Sequence, residues 1–175
     1  TENSITSKYD GILEIDELRA VEAVDEVSGK KHLVVVSRLA EMRIVDPNTK
    51  IVLLTHNIPY GSKLFFNNGD SIKGDVIIEW DPFNAVIVSE VSGKIEFESL
   101  VENVTYKVES DETTGLKEKI IIESKDKTKA PAAHIVDENG NYLKNYSLPL
   151  GAHVVKDNGD VVKAGEVLVK IPRAV

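Results

Sequence analysis

The chain of 175 residues has no cysteine, which excludes disulfides and thiolate-bound metal and suits a reducing compartment. It also lacks any apolar run of membrane-spanning length. The first ten residues are polar, without the apolar centre of a secretory signal, and Thr1–Lys8 reads as the stub of a linker cut from a longer chain. The expected location is the cytoplasm. Basic charge is short as well: 29 acids face 21 bases, a formal net charge of −8. Nucleic acids are bound chiefly by neutralising phosphates, so autonomous tight binding to DNA or RNA is not expected. The lysines between Lys117 and Lys129 are interleaved with Glu118, Glu123 and Asp126, as on a solvated mixed-charge surface.

Catalytic signatures are equally scarce. There is no Gly-x-Ser-x-Gly elbow and no glycine-rich phosphate loop ending in Lys-Ser or Lys-Thr. The four histidines, His32, His56, His134 and His153, are dispersed, and none has the spacing of a helix-borne metal pair. Asp137-Glu138-Asn139-Gly140-Asn141 has the acids of a calcium loop without its alternating ligands or terminal glutamate, and reads better as a hairpin turn. Two sequons, at Asn103 and Asn145, carry little weight without an export signal. No catalytic, cofactor-binding or metal-binding residue is assigned. The single tryptophan, Trp80, beside Asp81-Pro82, is a candidate for packing in the core or between units, or for touching a partner.

What the chain does contain is a repeat. Ile58-Pro59-Tyr60-Gly61 matches Leu148-Pro149-Leu150-Gly151, and Gly-Asp follows ten positions past each proline, at Gly69-Asp70 and Gly159-Asp160. Gly74-Asp75 then matches Gly165-Glu166, with Ala164 inserted in the later copy. Upstream, Ile44-Val45-Asp46 matches Ile135-Val136-Asp137, and Gly11-Ile12-Leu13 matches Gly93-Lys94-Ile95. So many matches in one order mean a duplicated unit.

The two copies read as all-β. β-branched runs bounded by turn residues predict strands at Leu33–Val36, Ile51–Leu54, Lys63–Phe66, Ile120–Ile122 and Val167–Ile171. Glu17–Glu26 is ambiguous alone, because Leu18, Val21 and Val24 sit near helical spacing. Its counterpart alternates Val104, Tyr106 and Val108, so both are read as strand. Gly61, Gly69, Gly74, Gly151, Gly159 and Gly165 are assigned to structural turns, those within Asn67–Asp70 and Asp157–Asp160 as tight hairpins. Residues 1–10 are taken as linker, 11–88 as the first unit and 89–173 as the second.

Gly-Asp, then Gly-acid and an apolar strand, is a pattern shared with barrel-sandwich hybrids such as biotinyl and lipoyl carrier domains. Their acylated lysine stands at a hairpin tip, and the corresponding stretch here, Glu79–Ala85, has proline and no lysine. A carrier remains the alternative reading, with a generic or extracellular β-sandwich interaction module behind it. A closer likeness runs through Val36-Ser37-Arg38, Ile58–Gly61, Trp80-Asp81-Pro82, Glu90-Val91-Ser92-Gly93, Asp111–Leu116, Ile135-Val136-Asp137, Leu148–Gly151 and Ile171-Pro172. In these the chain resembles the lineage-specific insertion within the trigger loop of the bacterial RNA polymerase β′ subunit. The resemblance implies two tandem sandwich-barrel hybrid units, inert in catalysis, inside a DNA-directed nucleotidyltransferase. It implies magnesium and zinc held outside this segment, and the remaining β′ and β subunits as partners. The role implied is modulation of trigger-loop folding during elongation, pausing and transcript cleavage. Because an insertion starts and ends near the same place, Gly11 and Pro172 should lie on one side of the molecule.

Overall fold

The computed structural model describes residues 2–174, in which no helix occurs and 18 strands are arranged in four antiparallel sheets. The chain divides into two compact units after Pro82. Each has nine strands: β1 (Ser4–Thr6), β2 (Asp10–Asp16), β3 (Ala20–Val24), β4 (Lys31–Val35), β5 (Glu41–Val45), β6 (Val52–Asn57), β7 (Lys63–Leu64), β8 (Ser71–Lys73) and β9 (Val76–Glu79) in the first. The second has β10 (Asn84–Val88), β11 (Gly93–Glu98), β12 (Tyr106–Ser110), β13 (Lys117–Ile121), β14 (Ala132–Val136), β15 (Tyr142–Ser147), β16 (His153–Val154), β17 (Val161–Val162) and β18 (Val167–Pro172).

Strand order is the same in both units. The first has a five-stranded sheet β1-β9-β7-β4-β3 and a four-stranded sheet β6-β5-β2-β8; the second has β10-β18-β16-β13-β12 and β15-β14-β11-β17. Alternation builds the core: Gly11, Leu13 and Ile15 are the buried positions of β2 and alternate with more exposed neighbours. Leu13, Met42, Ile44 and Ile72 from one sheet meet Ile5, Val35, Leu64, Ile77 and Ile78 from the other. The second core repeats these positions as Ile95, Ala133, Ile135, Val162, Ile121, Val154, Leu168 and Val169. Each unit is therefore a β-sandwich with its own apolar filling, and the duplication extends to tertiary structure.

Several expectations change. Residues 1–10 are not a linker: Ser4–Thr6 pairs with β9, Asp10 opens β2, and Ile5 is buried in the core, while Thr1 lies outside the described residues. The boundary between units falls after Pro82 rather than after residue 88, because Asn84–Val88 pairs with β18 and does for the second unit what β1 does for the first. Alternating strands on a common edge cannot be told from a polar leader when only three residues are long. The strand reading of Glu17–Glu26 corresponds to β3 at Ala20–Val24.

Asn67–Asp70 is not a hairpin, since β7 and β8 belong to different sheets. It carries the chain across the sandwich, and its polar groups complete the edge of β2. Gly69 N–H donates to Leu13 O at 2.7 Å, and Asn68 Oδ1 accepts from Ile15 N–H at 2.8 Å. Asn158 and Gly159 do the same for Phe97 and Ile95. The left-handed backbone at Gly69 (φ 94°) and Gly159 (φ 90°) aims those N–H groups, which a side chain would resist. Asp137–Asn141 does form the β14–β15 hairpin, with Asp137 Oδ1 accepting from the N–H groups of Asn139 and Asn141.

Candidate functional site

The six turn glycines all have positive φ, and they lie at loops at corresponding places of the two sandwiches. Trp80 packs against the first unit's core and stacks on His56, with centroids 6.3 Å apart and planes 28° from parallel. Glu79–Ala85, the stretch compared with a carrier's hairpin tip, instead runs from the end of β9 into β10. The histidines stay apart: His32 lies against Phe65, and His153 Nδ1 meets Glu118 at 3.1 Å. Among the described residues, no group of three or more His, Asp or Glu could hold a metal ion.

The polar face of the four-stranded sheet differs between the copies. In the first unit Arg43 lies between Glu14 (3.2 Å), Asp16 and Glu41 (4.0 Å). The hydrogen bond from Arg43, and then its charge, hold Asp16 below the usual carboxylate range. The corresponding residue of β14 is His134, as the pairings Glu14↔Arg43 and Glu96↔His134 show. Its ring stacks on Tyr142 at 4.5 Å, and its Nδ1 meets Asn145 Oδ1. Nε2 is buried without a hydrogen-bond partner, 3.7 Å from Glu98. A charged knot has become a stacked aromatic one, a change a comparison of aligned copies could have flagged.

Two surface grooves stand out. One, of about 560 Å³, lies in the first unit between β1 and β6. The other, of about 690 Å³, lies in the second unit beside Gly93, Glu138 and Val161. Its floor is tight: an added Cβ on Gly93 would stand 2.5 Å from Val136 O.

The clearest functional geometry is at the unit ends, and composition offered no signal for it. In the first unit Trp80 N–H donates to Asn3 O at 2.9 Å, so the first and last strands begin and finish side by side. In the second, Arg173 N–H donates to Phe83 O at 2.9 Å, and Asn84 pairs with Pro172. Only Asp81 and Pro82 lie between Trp80 and Phe83. Three Cα–Cα steps of about 3.8 Å and two hydrogen-bonded pairs keep Asn3 and Arg173 within about 23 Å, by the covalent path alone and for any orientation of the units.

Fold and ends together define a class: a duplicated β-sandwich module in which each unit opens and closes on neighbouring strands. Comparison with known proteins supplies the family. The chain is 99% identical over its whole length to part of the DNA-directed RNA polymerase subunit β′ of Parabacteroides distasonis. It is 66% identical over its whole length to that of Azobacteroides pseudotrichonymphae, and 47% identical over 98% of its length to that of Flavobacterium johnsoniae. It belongs to the RNA polymerase β′ family, and spans 12% of the length of each of these subunits. No family model matches the chain.

Proposed function

We propose that this chain is the insertion carried by the trigger loop of a cytoplasmic bacterial RNA polymerase, and that it modulates folding of that loop during DNA-templated RNA synthesis. The observation that carries this reading is the closeness of the two ends. A module entered at Asn3 and left at Arg173, within about 23 Å, replaces a short piece of surface loop without pulling its flanks apart.

The loop of such an enzyme folds into helices over the correct nucleotide and closes the active site, a gating step that sets rate without supplying reactive groups. A body of 19.3 kDa fastened to the loop moves with it. Any contact it makes with the remaining β′ or β subunit in one state only shifts the folding equilibrium by that contact's free energy, and about 1.4 kcal/mol is a tenfold change. The chain's own residues supply rigidity and surface. Magnesium and zinc would be held by other parts of the enzyme, and the net charge of −8 keeps the module from trapping nearby nucleic acid.

The test is deletion within the assembled polymerase. Because β1 is part of the first sandwich, the deletion must run from Ser4 to Arg173 to leave no orphan strand. Phosphodiester formation should persist, with altered pausing and transcript cleavage. Loss of all synthesis in a stably assembled enzyme would overturn the proposal, and so would unchanged pausing and cleavage.

A further inference from the structure

The two units solve one packing problem differently. In the second, the gap between edge strands β10 and β15 is closed from within. Tyr146 of β15 accepts a hydrogen bond from Glu90 N–H at 2.8 Å, and Lys144 Nζ lies 2.8 Å from the Glu90 carboxylate. Strand register maps these residues onto the first unit. Met42↔His56 and Ile44↔Leu54 correspond to Ala133↔Tyr146 and Ile135↔Lys144, and the Ser7 turn corresponds to the Ser89 turn. Lys8 thus stands where Glu90 does, Leu54 where Lys144 does, and His56 where Tyr146 does. The carboxylate is gone, its place is taken by a cation, and His56 is stacked on Trp80 instead. What remains is the open groove of about 560 Å³ between β1 and β6.

Both walls of that groove are sheet edges. Ile58 N–H donates to Ala40 O, so alternate residues of β6 bond to β5, and Thr55 turns its backbone N–H and C=O groups to the open side. Trp80 N–H donates to Asn3 O, which by the same alternation leaves the Ser4 groups facing outward. Apolar side chains line the opening: Tyr9 is about half exposed, and Leu53 and Leu54 are partly exposed. Unpaired edge groups beside apolar walls are what an added strand needs, with main-chain hydrogen bonds for affinity and alternate side chains for specificity.

We propose that this groove receives an extended, acidic segment of another polypeptide, which adds as a strand along β6 and sets a carboxylate against Lys8. The occupant's charge follows from the sealed copy, where the lysine of the gap is met by a carboxylate; in the first unit the lining supplies the cation, Lys8, and the occupant supplies the carboxylate. A nucleic acid fits poorly, because Lys8 shares the groove with Glu2 and a single lysine neutralises one phosphate at most.

The test is NMR titration of the full chain, labelled with nitrogen-15, using a capped octapeptide that alternates valine with threonine and carries two glutamates. A twin with lysines in place of the glutamates is the control. The amides of Ser4 and Thr55 should shift saturably with the glutamate peptide. Lys8→Glu, an exposed change, should weaken that peptide by about two- to five-fold and favour the lysine twin. Lys8→Glu combined with Leu54→Lys and His56→Tyr, which transplants the seal, should abolish binding while the far-UV circular dichroism spectrum stays native. Absence of shifts at millimolar peptide, shifts elsewhere, or indifference to the charge swap would each overturn the proposal. So would sedimentation showing that the chain pairs with a second copy through these same amides. Failure here leaves the deletion phenotype proposed above untouched.

Discussion

Replacing Gly11 with alanine should destabilise the first unit by steric conflict alone. Gly11 lies on β2 at its closest approach to β5, where an added Cβ would stand 2.7 Å from Val45 O and 2.8 Å from Ile44 Cγ2. The Ile44 side chain is fully buried, and the carbonyl is backbone, so neither can swing away as the end of a long side chain would. The backbone of Gly11 does not lie in the left-handed region, so no dihedral strain is added. Overpacking of this kind costs about 1–3 kcal/mol. At about 4–8 °C per kcal/mol for a unit of this size, the melting temperature should fall by roughly 4 to 24 °C. Trp80 is the sole tryptophan and packs against the same core, so its fluorescence follows this unit. Ser71→Ala, at an exposed position paired with Ile12, is the matched control and should stay within about 2 °C. If Gly11→Ala melts with the control, the close approach of β2 to β5 yields easily, and the steric reasoning for Gly11 and its twin Gly93 fails together.

The seal of the second unit and the acidic face of the first give two more expectations. Tyr146→Phe removes the acceptor for Glu90 N–H and should cost about 1 kcal/mol, with faster hydrogen exchange at the Glu90 amide; unchanged exchange would mean that water serves as well. Asp16 is held below its ordinary pKa of 3.8 by the hydrogen bond from Arg43. A carboxyl with a depressed folded-state pKa contributes stability that is present above the unfolded value and is lost as pH falls through the folded one. Acid unfolding of Asp16→Asn should therefore lack part of the loss that the parent chain suffers below about pH 4. Parallel acid titrations by circular dichroism would show this as a shallower slope, and identical slopes would sink the idea.

Duplication made much of this protein legible before any coordinate. Equivalent glycines and alternating apolar residues, read in both copies, were enough to make Glu17–Glu26 a strand, because two copies of one fold cannot disagree about an element. The limits were equally physical. A turn motif encodes local backbone geometry, and Asn67–Asp70 has the same left-handed glycine whether it joins paired strands or crosses between sheets; only the hydrogen bonds from Gly69 and Asn68 to β2 tell the two apart. The polar segment before Gly11 hid a strand for a related reason. Three residues on an edge need only one buried side chain, Ile5, and hydrogen bonds to a partner more than 70 positions away.

Sequence by itself thus determined the all-β class, the twofold repetition, the turn positions and, through the ordered matches, the polymerase family. Those properties depend on residue type and local spacing, which a chain carries with it. Tertiary structure alone decided that the units divide after Pro82, that each unit begins and ends on paired strands, and that one copy keeps open the groove its twin has sealed. Each of these rests on residues brought together across long stretches of chain, such as Asn3 with Trp80 and Glu90 with Tyr146. No local pattern can encode a meeting of that kind until the strands between have paired.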